Sequence, residues 1–178
     1  MWSFPGTTIP RYPASMEAVQ TKTRDGRHDF DFLIGSWNVH NRRLKAPLTG
    51  SNEWYEFEGW SEARSLWGGK GNMDEFSAES PLGRIEGFTL RCYDPGTGLW
   101  SLYWANAKTG LLPVPNVGAF GEDGVGDFFC DEVIAGKAVI CRYHWIKEYQ
   151  GGCRWEQAFS VDGGTTWETN WTMHSTPR

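Results

Sequence analysis

The sequence predicts an all-β fold, a single antiparallel up-and-down β-barrel of about ten strands with a short N-terminal helical plug. Composition favours this class, because the 178 residues include 11 Trp, 10 Phe, 6 Tyr and 22 Gly. Aromatic residues suit strands and glycines suit tight turns. Patterning favours it as well, since alternating runs recur along the chain between short turns, at the spacing typical of such barrels.

The chain length suits one domain that buries its own core. Residues 1–26 are rich in proline and weakly periodic, which predicts an irregular N-terminal arm ahead of a barrel domain over residues 27–178. Trp2, Phe4 and Tyr12 in this arm need burial. We therefore expect the arm to lie across the barrel or across a partner subunit, and a homodimer is one alternative.

The helical plug is predicted over residues 28–34. Asp29 or Asp31 can cap a short helical turn whose other residues are largely apolar. Gly35 permits a sharp exit into the first strand. Trp37 then begins an alternating run and is expected to lie on the floor of the barrel.

The remaining elements are predicted from alternation and from turn residues. The turn Asp94-Pro-Gly-Thr-Gly98 predicts a hairpin. Residues 111–120 contain two prolines, which predicts an edge strand or a loop over a barrel mouth. The other strands are expected at residues 36–44, 53–66, 72–78, 85–93, 99–106, 125–134, 138–147, 153–161 and 165–174.

Gly35-Ser-Trp37, at the head of the first strand, resembles the Gly-x-Trp feature that opens lipocalins and the wider calycin group. Residues 28–172 also resemble an uncharacterised family of bacterial lipocalin-like domains. The segments that carry this resemblance are His28-Asp-Phe-Asp-Phe-Leu33, Tyr93-Asp-Pro-Gly-Thr-Gly-Leu-Trp-Ser-Leu-Tyr-Trp104 and Trp155-Glu-Gln-Ala-Phe-Ser160. The resemblance implies a calycin-type barrel, in which Arg142 or Arg154 would stack on Trp37, and it lends no catalytic residues.

Residues 160–167, Ser-Val-Asp-Gly-Gly-Thr-Thr-Trp, match the Asp-box pattern Ser-x-Asp-x-Gly-x-Thr-Trp of sialidase propellers. A single copy argues against a propeller, because a motif needs its structural context. We expect a hairpin device in which Asp162 accepts hydrogen bonds from turn amides while Trp167 packs beneath the turn.

Charge and motifs exclude several function classes. The net charge of −5 and the lack of a basic run argue against a nucleic-acid partner. No stretch has the roughly 20 apolar residues of a membrane helix, and the first residues do not resemble a secretion signal, so a cytoplasmic protein is expected. The sequence contains neither a dinucleotide fingerprint nor a phosphate loop, so we expect no cofactor.

The four cysteines, Cys92, Cys130, Cys141 and Cys153, lack the C-x-x-C spacing of a sequence-local metal site. We interpret them as reduced thiols that fill the core. A disulfide between facing strands is the alternative.

A barrel of this size either fills its interior with side chains or keeps room for one small ligand. Polar residues on faces that are predicted to point inward are the candidates for such a site. As acid–base residues the sequence offers His144, Glu56, Glu58, Asp127 and Tyr103. As ligand-binding residues it offers Trp104, Arg91, Arg142, Asn106, Trp155 and Phe129. The structural alternative is that the glutamates point to water and the histidine is only hydrogen-bonded.

The leading hypothesis is that the lumen binds a small, largely apolar or aromatic molecule. A cofactor-independent lyase or isomerase that uses the same pocket for acid–base chemistry is the alternative, and a purely structural dimer with a filled barrel is the third. A cavity of a few hundred cubic ångströms would favour the first two. A buried carboxylate beside His144 or Tyr103 within that cavity would favour the enzyme.

Overall fold

Ten antiparallel strands form one closed barrel in the computed structural model, which describes residues 25–148 and 151–178. Each strand pairs with the next along the chain, and the last strand closes on the first. The predicted all-β, up-and-down arrangement is confirmed. The strands are β1 (Gly35–Leu44), β2 (Trp54–Leu66), β3 (Gly71–Ser80), β4 (Gly83–Asp94), β5 (Leu99–Asn106), β6 (Asn116–Phe120), β7 (Val125–Ile134), β8 (Lys137–Lys147), β9 (Cys153–Ser160) and β10 (Glu168–Pro177).

The strand alternation separates an inner face from an outer face. On β1, Trp37, Val39 and Asn41 are buried, whereas Asn38 and His40 between them are exposed. Successive side chains of a strand point to opposite sides of a sheet, so the buried residues line the interior. In the register of β1 with β2, Trp37 lies opposite Ser61 and Asn41 opposite Phe57, which carries the inner face onward around the barrel.

Aromatic packing closes one end of the barrel. Phe30 is fully buried, and its ring meets those of Trp100, Phe120 and Trp145 edge-on at centroid distances of 5.1, 4.9 and 5.8 Å. Edge-to-face pairs at such distances stabilise beyond the area they bury. This end, formed by residues 26–34 and the rings around Phe30, is called the closed end below.

Indole and phenol groups tie the chain to the closed end. Trp37 Nε1 donates to the Leu33 carbonyl oxygen at 2.7 Å, and Trp100 Nε1 donates to the Gly26 carbonyl oxygen at 3.0 Å. The Gly26 amide in turn donates to Tyr93 Oη at 3.0 Å. The buried polar groups of Trp37, Trp100 and Tyr93 therefore each have a partner, as burial requires.

The predicted helical plug is not supported. Residues 27–30 form turns, and a 3-10 helix of three residues, Asp31–Leu33, follows them. Three residues complete only one turn, and Asp31 bonds to His28 at 2.7 Å where a capping contact was expected. The predicted arm lies outside the described residues apart from its last two, so the boundary at residue 26 stays a prediction. No helix among the described residues has the length and apolar character needed to cross a membrane.

Two predicted elements are shorter or shifted. Of residues 111–120, only Asn116–Phe120 form a strand, and because the barrel is closed that strand has neighbours on both sides. The strand predicted at 165–174 begins instead at Glu168, since the turn before it extends through Trp167. A register shift between Thr169 and Trp171 follows, where Asn170 is buried in a bulge.

Asp162 organises the turn between β9 and β10. Its Oδ1 accepts from the Thr166 amide at 2.9 Å and from the Ser160 hydroxyl at 2.8 Å, while its Oδ2 accepts from the Thr166 hydroxyl at 2.6 Å. These hydrogen bonds, led by that of the Thr166 hydroxyl, lower the pKa of Asp162 to about 2. Trp167 folds back to donate to the Gly164 carbonyl oxygen at 3.1 Å.

Replacement of Trp37 by alanine is expected to destabilise the fold by about 3–5 kcal/mol, because it removes a large buried ring and a hydrogen bond at the closed end. Urea denaturation measures the change. Trp60→Ala is the matched control, because Trp60 lies on the outer face and is 39% exposed. An unchanged midpoint in Trp37→Ala would refute the anchoring of the closed end by this residue.

Asp162→Asn is expected to lower the melting midpoint at neutral pH, by a few degrees for a domain of this size. The folded-state pKa lies below the usual value of about 3.9, so the ionised carboxylate stabilises the fold above about pH 4 and loses that effect as the pH falls through about 2. The midpoint difference from wild type should therefore narrow over that window in thermal melts. Asp131→Asn, at an exposed position, controls for the loss of one charge. A difference that stays constant down to pH 2 would contradict the assignment.

Candidate functional site

The barrel contains a cavity of about 590 Å³. It extends from Leu33 and Trp37 at the closed end to Leu82 and Lys108 at the opposite end, which is called the mouth below. This volume lies within the range of small-molecule sites. The interior is therefore not filled by side chains, and the reading of the protein as a filled structural barrel is not favoured.

Aromatic rings form much of the cavity wall. Trp155 and Trp171 meet edge-on at 5.6 Å, and Phe76 meets Trp104 edge-on at 6.1 Å. Tyr143 packs edge-on against Trp155 at 5.0 Å. Flat rings at fixed angles present rigid apolar faces, which suit an aromatic or polycyclic guest.

A glycine allows Trp104 to take its place in the wall. A Cβ atom on Gly87 would lie 2.3 Å from the Ala105 carbonyl oxygen and 2.6 Å from the Trp104 ring. No larger residue fits there without moving β5 or the indole. The absence of a side chain on β4 thus lets the Trp104 ring lie across it.

A buried ion pair lies near the closed end of the cavity. Arg91 donates one short hydrogen bond to Asp74 and another to Asn72 Oδ1 at 3.0 Å. The side chains of Arg91 and Asp74 are only 3% and 9% exposed. The guanidinium also lies over the rings of Phe30 and Trp145, at 5.3 and 5.4 Å from their centroids. Because Asp74 balances Arg91, this part of the cavity carries no net charge.

Amide side chains in and behind the wall hold it on the Trp171 side. The Asn41 amide nitrogen donates to the Val39 carbonyl oxygen at 3.0 Å, and its oxygen accepts from Trp171 Nε1 at 3.1 Å. Gln157 donates to Asn170 Oδ1 at 2.8 Å. These groups are fixed by one another, so they hold the Trp171 side of the wall in place.

Positive charge collects at the mouth. Arg43, Lys45, Arg84 and Lys108 line the cavity there, and among the described residues Glu132 is the one carboxylate that lines that end. Lys45 is paired with Glu53 at 2.9 Å and Arg84 with Glu86 at 2.7 Å. Arg43 and Lys108 have no ion-pair partner among the described residues, although Arg43 lies 4.4 Å over the Trp171 ring.

Two titratable groups, Tyr143 in the wall and Cys130 in the core cluster that packs against it, are held in their neutral forms. Burial raises the pKa of Tyr143 well above its usual value, and neighbouring acidic groups at Cys141, Glu132 and Cys130 raise it further. A hydrogen bond with Cys141 and then burial raise the pKa of Cys130. Neither side chain is thus an ionised nucleophile or base at neutral pH.

Four of the sequence-predicted residues line the cavity, namely Trp104, Arg91, Asn106 and Trp155. The others lie on the outer face, which corrects the expectation that they point inward. They are Glu56, Glu58, Tyr103, Asp127, Phe129, Arg142 and His144. The error has one physical cause: several strands carry aromatic residues on both faces, so alternation alone does not say which face is inside.

On the outer face these residues pair with one another. His144 Nδ1 lies 2.8 Å from Asp127 Oδ1, and His40 Nδ1 lies 2.7 Å from Glu58 Oε1. Arg142 stacks over Trp167 at 4.6 Å instead of over Trp37, which corrects the lipocalin-like expectation, and Arg154 pairs with Glu148. None of the described histidines lines the cavity, so the predicted lumenal acid–base set is not assembled there.

Sequence reasoning missed Asp74 and Asn72. Both share the inner face of β3 with Phe76 and Ala78, and this alternation is visible in the sequence. A carboxylate on the same face as two apolar residues is the signal that could have identified the buried pair.

Asp74→Asn is expected to destabilise the protein by about 3–5 kcal/mol, because it leaves the Arg91 guanidinium buried without its carboxylate. Replacement of both residues, Asp74→Leu with Arg91→Met, should cost less than the single change. Urea denaturation of the three proteins measures this, with Glu79→Gln as a control that breaks the exposed contact to Arg84. A double variant less stable than Asp74→Asn would contradict the coupling.

Comparison with known proteins supports the barrel. The crystal structure of Rv2717c from M. tuberculosis is similar, with a TM-score of 0.54 over 88% of this chain and 99% of that chain. The two sequences are 14% identical, so this likeness shows the fold alone. No family model and no curated protein matches the chain. The chain thus shares its barrel fold with a solved structure, and its resemblance to lipocalin-like bacterial domains stays a prediction.

Proposed function

We propose that the protein binds a small, largely apolar or aromatic molecule in the barrel lumen. The observation that carries this proposal is the cavity of about 590 Å³ with a wall of aromatic rings. Transfer of an apolar molecule from water into such a space contributes roughly 25 cal/mol for each Å² of apolar surface buried. Hydrogen bonds and the contact between Gly87 and Trp104 already fix the side chains of the wall. Few of these side chains therefore have to become ordered when a guest enters.

The distribution of charge supports a guest with a polar group at its outer end. The Arg91–Asp74 pair is neutral as a unit and lies near the closed end, so the inner end of the guest is uncharged. Arg43 and Lys108 lie at the mouth without ion-pair partners among the described residues. An acidic group left at the mouth would be attracted by these cations, so we infer that the ligand class is an aromatic or hydrophobic acid.

An acid–base enzyme in the same pocket has less support. Asp127 and His144 do lie within hydrogen-bond distance, but on the outer wall, where the Asp127 side chain is 42% exposed. Within the part of the chain that the structure describes, the carboxylates that line the cavity are Asp74 and Glu132. Arg91 and Ser61 already donate hydrogen bonds to Asp74, and no described histidine lines the cavity beside either carboxylate. Binding is therefore the function that the geometry favours.

The lumen is expected to bind an aromatic probe, and a bulkier side chain inside it should block that binding. Ile85→Trp places a larger ring in the cavity wall and should weaken binding of the neutral probe phenylnaphthylamine by about 10-fold or more, since it takes up the space the probe needs. Tryptophan fluorescence quenching and probe emission measure the affinity. Val133→Trp adds the same ring on the exposed outer side of β7 and is the matched control.

The results separate lumenal from surface binding. Weak binding by Ile85→Trp with normal binding by Val133→Trp, both with wild-type circular dichroism, supports the lumen. Equal binding by both variants places the probe elsewhere and contradicts the proposal, as does a wild-type protein that binds neither a neutral nor an anionic probe.

Charge at the mouth is tested with an anionic relative of the same probe, anilinonaphthalene sulfonate. The double variant Arg43→Gln with Lys108→Gln should bind the sulfonate about 5- to 10-fold more weakly and the neutral probe unchanged, because only the sulfonate gains Coulomb energy there. Arg64→Gln removes a charge from the exposed outer face of β2 and serves as control. Equal losses for both probes would show that the two cations do not select an acid.

A further inference from the structure

Two thiols and a carboxylate meet where β7 pairs with β8. Cys130 lies directly opposite Cys141 in the strand register. Glu132 follows two residues after Cys130, so its side chain leaves the strand on the same face. The two sulfur atoms and a Glu132 carboxylate oxygen all lie within 4.8 Å of one another. The residues come from two strands, which is why no Cys spacing in the sequence indicates them.

No described cation pairs directly with the carboxylate of this cluster. Cys130 and Cys141 are 5% and 1% exposed, and Glu132 is half-buried. The Cys130 thiol lies 3.5 Å from Glu132 Oε1, and no cationic side chain of the described residues forms an ion pair with Glu132. A carboxylate withdrawn from water without a cation is costly. A bound cation would remove this cost.

The spacing of the donor atoms fits one metal ion. With metal–sulfur and metal–oxygen bonds of about 2.3 and 2.1 Å at tetrahedral angles, sulfur and oxygen ligands lie about 3.6 Å apart. The 3.5 Å between Cys130 Sγ and Glu132 Oε1 agrees with this edge. We propose that Cys130, Cys141 and Glu132 bind a divalent transition-metal ion of the zinc type, through two thiolates and one carboxylate.

The donor set selects the class of ion. Thiolates favour zinc and related soft or borderline metals, whereas calcium and magnesium require oxygen ligands. Binding converts both thiols to thiolates and releases their two protons to solvent, so no oxidant or reductant takes part. Three protein ligands leave the fourth tetrahedral position to water or to another donor, which is the arrangement of reactive and not of closed zinc sites.

The metal site borders the cavity, because Glu132 and Tyr143 line its wall. A donor atom of a molecule in the lumen can therefore complete the coordination. The site itself rests on three side chains of the barrel wall and does not depend on the proposed lumenal binding. Failure of either proposal leaves the other standing.

Cobalt(II) is the probe for this site, because thiolate ligands give it a charge-transfer absorption that zinc lacks. The reduced, chelator-treated full chain should develop this band on titration with cobalt chloride, level off at one equivalent, and lose the band when zinc is added. Absence of the band in the wild-type protein would overturn the proposal.

Three variants locate the ion. Cys141→Ser and Glu132→Gln should each lower cobalt affinity at least about 10- to 100-fold, since even groups that only support a ligand have effects of that size. Cys153→Ser should bind as wild type, because this equally buried thiol lies on β9 outside the cluster. Glu132→Gln changes a half-buried residue and keeps both thiols, so it tests the ligand set even where Cys141→Ser fails to fold. Retained affinity in a folded Glu132→Gln protein would overturn the carboxylate ligand, and a loss confined to Cys153→Ser would overturn the site.

Discussion

Ten strands that close into a barrel enclose more space than inward side chains readily fill. Side chains fill this space at one end of the barrel and leave it open at the other. At the closed end, Phe30 inserts among Trp100, Phe120, Phe128 and Trp145 and leaves no room for solvent around its ring. Toward the mouth, no segment of residues 25–148 and 151–178 fills the barrel in this way, and the rings stay on the wall around the cavity. Stability is thus concentrated at one end, which leaves the other free to accept a ligand.

The distribution of charge also differs between the closed end and the mouth. The chain carries a net charge of −5, yet its cavity mouth is lined mainly by cations. Many of the acidic side chains lie on the outer wall. Glu56 and Glu58, for example, both contact the exposed His40 there. Within the lumen, Asp74 is balanced by Arg91. An acidic ligand of the proposed class would therefore meet repulsion from the outer surface in general but attraction at the mouth.

Strand number, order and most boundaries follow from the sequence, because turns such as Asp94–Gly98 and short alternating runs are local signals. The start of β10 does not, since the hydrogen bonds of Asp162 extend the preceding turn through Trp167. Which face of a strand points into the barrel is harder still to predict from the sequence. On β2, Trp60 lies outside and Phe57 inside, and only packing across the barrel distinguishes them. Because of this ambiguity, His144 and Asp127 were predicted to face the lumen. Asp74 was not predicted as a site residue, although Phe76 and Ala78 on the same strand face indicate that it points inward.

The β7–β8 hairpin shows why this orientation matters. Its outer face carries the Asp127–His144 pair and its inner face carries Cys130, Glu132 and Cys141, so a change of register by one residue would exchange the two sets. Phe128 and Trp145, on the inner face of the same two strands, pack against Phe30. Reversal of the hairpin would remove both rings from the closed end. The aromatic contacts that close the barrel therefore also determine that thiols and a carboxylate, and not the histidine, lie on the cavity side of this hairpin.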